Sequence, residues 1–308
     1  MYLVCGEALF DVFASPTALG NRLTLEAVAG GSPFNVAVGL RRLGVPAALF
    51  TGLSRDYFGQ RLGTLLATEG VDTGYLVDVD APTTLAMVAL DATGAPVYDF
   101  RGAGCADRLP RIDQLPPLGD DVRGVHLGSY SLVVEPIADT LQALVERAEG
   151  RLISLDPNIR LNVEPSLERW RERIDRLVPR VQLIKASDED LRLLYPDQSQ
   201  DAVVQRWLAQ GCRVVLLTRG GDGASLYRDG TVLSAAAPAI TVCDSVGAGD
   251  TFQAGVLAWL HEQGADSPAG LEALADDALQ RMLDFACRAA AITCTRRGPD
   301  LPRRAELD

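Results

Sequence analysis

The chain is 308 residues long, more than one simple core accommodates, and no segment has the composition of a linker; it reads as one large α/β unit with an appendage, or as two domains. Apolar residues at 47% and charged residues at 23% fit a folded globular enzyme and exclude a disordered chain. Lys plus Arg number 29 against 41 Asp plus Glu, a net charge of −12 that argues against general nucleic-acid binding.

In chain order, residues 1–4 are apolar and run into Gly6-Glu7, the pattern of a buried strand delivering residues to a site. Residues 22–28 alternate loosely and predict a short strand off the main sheet. A helix is predicted from Pro33, with Val36, Leu40 and Leu43 at i, i+4 and i+7 and Gly44 at its end. Residues 47–51 predict a strand, and 56–69 a helix closed by Gly70. Segments 75–79, 83–90 and 97–101 are then rich in β-formers, with a turn at 91–96. Three strands in succession without a helix predict a separate small sheet. From residue 122 the chain alternates regularly: strands at 122–127, 152–155, 181–184 and 214–218, with helices at 137–149, 166–177, 189–195 and 202–210. Such alternation implies right-handed crossovers and a mainly parallel sheet covered on both faces, with ligands beyond the carboxyl ends of its strands.

No apolar run reaches the ~18 residues of a membrane span. No basic stretch leads an apolar one at the N-terminus, so a cytoplasmic protein without a signal peptide is expected. The six cysteines (Cys5, Cys105, Cys212, Cys243, Cys287, Cys294) form no C-x-x-C, and His126 and His261 are the only histidines. Neither a zinc site nor a disulfide framework follows; reduced, mostly buried thiols are expected.

The stretch Asp244-Ser-Val-Gly-Ala-Gly-Asp250-Thr-Phe-Gln-Ala-Gly255 carries the most chemistry. Gly247 and Gly249 flank Ala248 and permit a sharp turn, and Phe252, Val256 and Leu260 repeat at helical spacing behind it. A small-residue turn opening a helix presents free N–H groups and the positive end of the helix dipole, an anion site. Asp250, in the first turn, is placed to accept a proton beside a bound phosphate. The bland alternative is a capping aspartate after a plain turn; Asp244 and Thr251 around it weigh against that. A second stretch, Ala29-Gly30-Gly31-Ser32-Pro33-Phe34-Asn35, pairs glycines that admit a ligand close to the backbone with an Asn that offers donor and acceptor to a diol.

Together the two stretches resemble the two signature patterns of the ribokinase-like (PfkB) family of carbohydrate kinases. The resemblance implies an α/β three-layer sandwich with a mainly parallel central sheet and a small β-sheet lid. The core would comprise residues 1–11, 29–74 and 106–308, and the lid residues 12–28 and 75–105. It implies Asp250 as catalytic base and the amides of Gly247, Ala248, Gly249 and Asp250 as an anion hole. Asp11 would bond sugar hydroxyls with Gly30, Gly31, Asn35, Arg101 and Arg160. Lys185, Thr218, Gly220, Gly223 and Gly249 would lie along ATP. Asp190, or Glu189 beside it, would stand where the family organises Mg²⁺ with an N-x-x-E element, from which this chain departs by carrying Ser187 and Asp190. Asp244, Val246, Thr293, Arg296 and Gly298 match positions around a monovalent cation, K⁺. No G-x-x-x-x-G-K-[ST] loop is present, so phosphates would be held by a helix N-terminus and not a P-loop lysine.

Residues 156–160 (DPNIR), the Tyr98-Asp-Phe100-Arg101 stretch and the GGSPFNVAVGLRRLG and KASDEDL runs look most like bacterial fructokinases. The expected activity is transfer of the ATP γ-phosphate to O6 of D-fructose. Alternatives are a 2-keto-3-deoxygluconate or ribokinase-type pentose kinase and, from another class, a non-catalytic sugar sensor on the same fold. An NAD-dependent dehydrogenase is disfavoured because no G-x-G-x-x-G follows the first strand. Expected partners are ATP, a sugar and a second copy of the chain through the lid, with no nucleic acid or membrane.

Overall fold

A computed structural model describes residues 1–14, 21–90 and 96–308. The elements, in chain order, are β1 (Tyr2–Cys5), β2 (Leu9–Ala14), β3 (Leu25–Gly30), α1 (Ser32–Arg42), β4 (Ala47–Ser54), α2 (Tyr57–Thr68), β5 (Leu76–Val79), β6 (Leu85–Leu90) and β7 (Pro96–Arg101). A short 3-10 turn, Ala106–Arg108, leads back from β7. Then follow β8 (Gly124–Gly128), α3 (Ile137–Arg147), β9 (Leu152–Asp156), α4 (Leu167–Leu177), β10 (Leu183–Ser187), α5 (Asp188–Leu194) and α6 (Gln200–Ala209). The chain ends with β11 (Val214–Thr218), β12 (Ala224–Arg228), β13 (Thr231–Ala235), α7 (Ala248–Glu262), α8 (Pro268–Glu272) and α9 (Asp276–Cys294).

Among the described residues the strands form two sheets. The larger has the order β13-β12-β11-β10-β9-β8-β1-β4-β5, and the smaller β3-β2-β6-β7. In the larger, every pair from β11 through β5 is parallel and only β12 and β13 run antiparallel. Strands such as β1 and β9 are buried on both faces, as a sheet sandwiched between helices requires. One layer is α1, α2, α7 and α9, contributing Val36, Leu40, Leu62, Leu66, Val256, Leu260, Leu279 and Leu283. The opposite layer is α3 to α6, where Trp170, Ile174, Leu191 and Trp207 are buried with Leu141 and Leu144. The expected three-layer sandwich is what the chain forms.

Local chemistry sets the helix ends. Asp56 caps α2 by accepting from the Gly59 N–H at 2.7 Å, and Gly70, at φ +77°, follows the helix as the expected terminator.

Two strand expectations need correction. Leu76–Val79, grouped by its sequence with the small sheet, pairs in parallel with β4 and is the edge of the large one. The small sheet instead recruits β2, so Asp11 lies within it, paired with Val28 and Ala86. β-propensity marks a strand but not its partners, which tertiary packing decides. Residues 91–95 of the expected turn at 91–96 lie outside the described residues.

Candidate active site

The N-termini of α1 and α7 meet at the carboxyl ends of the central strands. Gly247 caps α7 in the left-handed region (φ +79°), and a side chain there would run into Pro299, with Cβ 2.7 Å from its Cβ. Asp250 is thereby placed in the first turn of α7, buried, with both oxygens engaged. Ser32 Oγ donates to Oδ1 at 2.6 Å and Asn35 Nδ2 donates to Oδ2 at 2.7 Å. Asn35, expected to face the sugar, thus also holds the expected base. Ser32 was not singled out by sequence reasoning; standing three residues before Asn35 on one helical face was its available signal.

Of the four amides expected to form an anion hole, that of Ala248 is engaged within the turn. The Ala248 N–H donates to the Ser245 carbonyl at 3.2 Å, closing the turn. The N–H groups of Gly249 and Asp250 have no partner among the described residues, and Thr251 N–H returns to the Gly247 carbonyl at 2.8 Å. Lys185 approaches this turn from β10: a Cβ on Gly249 would lie 3.0 Å from its Nζ. Lys185 is buried and donates to Asp156 Oδ2 at 2.8 Å. Burial opposes the ammonium, but Asp156, Asp190 and Asp250 more than offset it and raise its pKa. Asp156, at the end of β9, is brought to this turn by Lys185, a placement its sequence context does not reveal.

Asp11, on β2, lies within reach of the charge on Asp250. Burial pushes its carboxyl up to about 6, with Arg160 opposing and Asp250 adding to the shift. Gly30 leaves room for it, since a Cβ there would lie 2.7 Å from Asp11 Oδ2. Gly31, at φ +103°, opens α1 against the Glu7 carbonyl, 2.7 Å from where a Cβ would stand. Arg160 is exposed beside Ile159. Arg101 is not brought to this place. Residues paired directly across a sheet share a face, so Asp11, Ala86 and Phe100 line one side. Arg101, one residue on, lies on the other with Leu85 and Phe10, exposed and paired with Asp99 at 2.6 Å.

On the far side of Lys185, Thr218 pairs with Ser187 across β10 and β11. Gly220 (φ +50°) and Gly223 (φ +91°) make the following turn, and a Cβ on Gly223 would lie 2.1 Å from the Ala235 carbonyl. Asp190 does not stand open for a metal: Oδ1 accepts from Ile159 N–H at 2.8 Å, and Oδ2 accepts from Ser187 N–H and Oγ at 3.0 and 2.6 Å. This is a capping box at the start of α5. Glu189 is exposed. Among the described residues no group of three or more His, Cys, Asp or Glu side chains is arranged to hold a metal ion. Ser187, Glu189 and Asp190 therefore do not fit a direct Mg²⁺ shell. Asp244 ties two loops together, accepting from Val246 N–H at 3.1 Å and Gly298 N–H at 2.8 Å. Thr293 shares a hydroxyl hydrogen bond with Thr251 at 2.8 Å, and Arg296 N–H bonds the Thr293 carbonyl at 2.9 Å.

A family model described as pfkB family carbohydrate kinase matches residues 2–305. The chain belongs to this family. Among curated relatives of this pfkB kinase, a fructokinase from Rhizobium leguminosarum bv. trifolii is 37% identical over 307 residues, covering 99% of this chain and 92% of that protein. Fructokinase-1 of Zea mays is 35% identical over 317 residues, covering 98% and 94%. Among solved structures, a fructokinase with bound ATP from Xylella fastidiosa superposes with a TM-score of 0.91 at 29% identity, covering 99% of this chain and 96% of that one.

In this pfkB kinase a buried acid stands behind the Gly30-Gly31 turn. Glu7 is enclosed after β1 and accepts from Ser131 Oγ at 2.8 Å. Burial raises its pKa from 4.5 to about 7 against the hydroxyls of Ser129 and Ser131. Below the unfolded value both states hold the proton. Between about 4.5 and 7 the unfolded chain releases it while the folded chain retains it, so stability falls as pH rises, by about 3 kcal/mol in all, and then levels off. Glu7→Gln is expected to match wild type near pH 4 and to exceed its unfolding free energy by about 2–3 kcal/mol at pH 8. Urea titrations at the two pH values check this; a difference that does not change with pH would overturn it.

Proposed function

We propose that this chain is an ATP-dependent fructokinase that transfers the γ-phosphate to O6 of D-fructose. The observation that carries the reading is Asp250, one turn into α7 beside the open amides of Gly249 and Asp250, with Asp11 within reach of its charge. Asp250 takes the proton of the primary hydroxyl as its oxygen attacks phosphorus. The Gly249 and Asp250 amides and the Lys185 ammonium meet the charge that develops on the transferred group. Asp11, Asn35 and Arg160 orient the sugar. Thr218, Gly220 and Gly223 lie along the nucleotide, and the small sheet covers the sugar and keeps water from competing as acceptor.

Mg²⁺ carried by the nucleotide supplies charge neutralisation between the phosphates. The same reading places K⁺ among the backbone carbonyls around Asp244, Val246, Thr293, Arg296 and Gly298, a donor type suited to it. Leu23 and Leu25, exposed at the outer strand of the small sheet, support pairing of two chains there. All six cysteines are free thiols, which supports work in a reducing cytoplasm. Among the described residues no helix is long and apolar enough to cross a membrane.

A 2-keto-3-deoxygluconate kinase would need to grip a carboxylate, for which an arginine fork is suited. Of the two arginines expected to serve it, Arg101 faces away and Arg160 is exposed, so those two do not form such a fork. In a coupled ADP-release assay, kcat/KM for fructose is expected to exceed that for 2-keto-3-deoxygluconate by at least about tenfold. The reverse ratio would move the substrate to the keto acid; turnover of neither would remove the sugar assignment.

A further inference from the structure

The row Asp11, Ala86, Phe100 marks the side of the small sheet against which Gly30 lies, two residues before the Ser32 that holds Asp250. Phe100 meets the ring of Tyr130 edge-on, centroids 6.0 Å apart, just past the carboxyl end of β8. The guanidinium of Arg108 lies over the same Tyr130 ring, 4.9 Å from its centroid. Arg108 is 8% exposed, and among the described residues it makes no side-chain hydrogen bond; its Nε and Nη2 are shielded from solvent without a partner. Asp107 beside it attracts the charge but spends its oxygens on Thr84 Oγ1 and Tyr130 OH, at 2.5 and 2.7 Å. The glycine at 102 makes room for this arrangement, since a Cβ there would lie 1.9 Å from Arg108 Nη2. Buried guanidinium donors without an acceptor are costly, and this turn packs on Gly52 toward the end of β4 and bonds Tyr130 just past β8, beside the carboxyl ends where such sheets bind ligands.

We propose that Arg108 is a specificity-determining residue whose guanidinium donates to hydroxyl oxygens of the bound sugar, the second cation of the sugar site in the place expected of Arg101. The proposal rests on the kinase reading and adds to it the residue that reads the sugar. A polyhydroxy ketose brings the acceptors that Arg108 lacks. Arginine rather than lysine is needed, because a planar fork stacked on a ring presents donors at two edges together.

The test is steady-state kinetics of wild type, Arg108→Lys and Arg108→Met with fructose and ATP, alongside thermal melting. Arg108→Lys keeps the positive charge and guards against a Met variant that fails to fold. The expected result is a KM for fructose raised about tenfold or more in both, with KM for ATP within about twofold and kcat within about threefold. An unchanged KM for fructose in a folded variant, with or without a lowered melting temperature, would overturn it and leave Arg108 a prop beneath the small sheet. Wild type inactive on fructose would instead strike the substrate assignment. The same variants would then be read on whichever sugar wild type phosphorylates, by the same KM criterion.

Discussion

Asp250→Asn is expected to lower kcat by about a hundredfold or more while leaving the fold and the sugar affinity in place. An amide cannot take the proton of the primary hydroxyl, yet it fits the hydrogen bonds that hold the carboxylate. Its oxygen can accept from Asn35 Nδ2, as Oδ2 does at 2.7 Å, and its nitrogen can donate to Ser32 Oγ, which now accepts. Neither partner is stranded, so melting should shift little. A variant with a near-normal rate and unchanged melting would dismiss Asp250 as the base. A variant that melts far below wild type would show that the geometry around Ser32 and Asn35 depends on the charge.

Lys185→Met is the second large effect, and it acts twice. Nζ lies closest to the turn at Gly249, so removing it strips a positive charge from the proposed phosphate site, and activity should fall by at least about a hundredfold. It also leaves Asp156, fully enclosed and with Oδ1 already lacking a partner, without its cation. Breaking a buried pair from one side costs about 3–5 kcal/mol, a fall in melting temperature on the order of 10 °C. Adding Asp156→Leu separates the two roles. The double variant is expected to recover most of the stability and none of the rate. If the single variant melts like wild type, the pair is not holding β9 to β10 as described; if it keeps its rate, the lysine is not part of the phosphate site.

What the sequence reveals of this protein is what short-range chemistry decides. The turn at Gly247 and the helix behind it follow from two glycines and a four-residue apolar repeat, and they stand as expected. The alternating half of the chain is legible for the same reason. α9, with 19 residues, lies outside the predicted elements although Leu279, Met282, Leu283 and Ala286 carry a readable helical repeat. Ser187 and Asp190 carry a readable signal, a hydroxyl and a carboxylate three apart at a helix start, and a capping box forms there. Arg101 illustrates the opposite case. Its residue type suits an anionic or hydroxylated ligand, but which face it takes depends on the register of β6 against β7, a fact no local window contains. The partners of Asp250 and the Lys185–Asp156 pair are likewise tertiary.

The two side chains that hold Asp250 are 218 and 215 positions away along the chain. During synthesis, α1 therefore emerges and waits while most of the polypeptide is still being added, and no fragment that ends before residue 250 contains a working centre. Strand β1 is in the same position, since its neighbour β8 arrives more than a hundred residues after it. Contacts so distant in sequence make folding slow and leave apolar strands uncovered on the nascent chain. Such a molecule covers those strands as a late event. It also has a safeguard: the phosphotransfer site comes into being only with the finished protein, so no half-made enzyme can spend ATP.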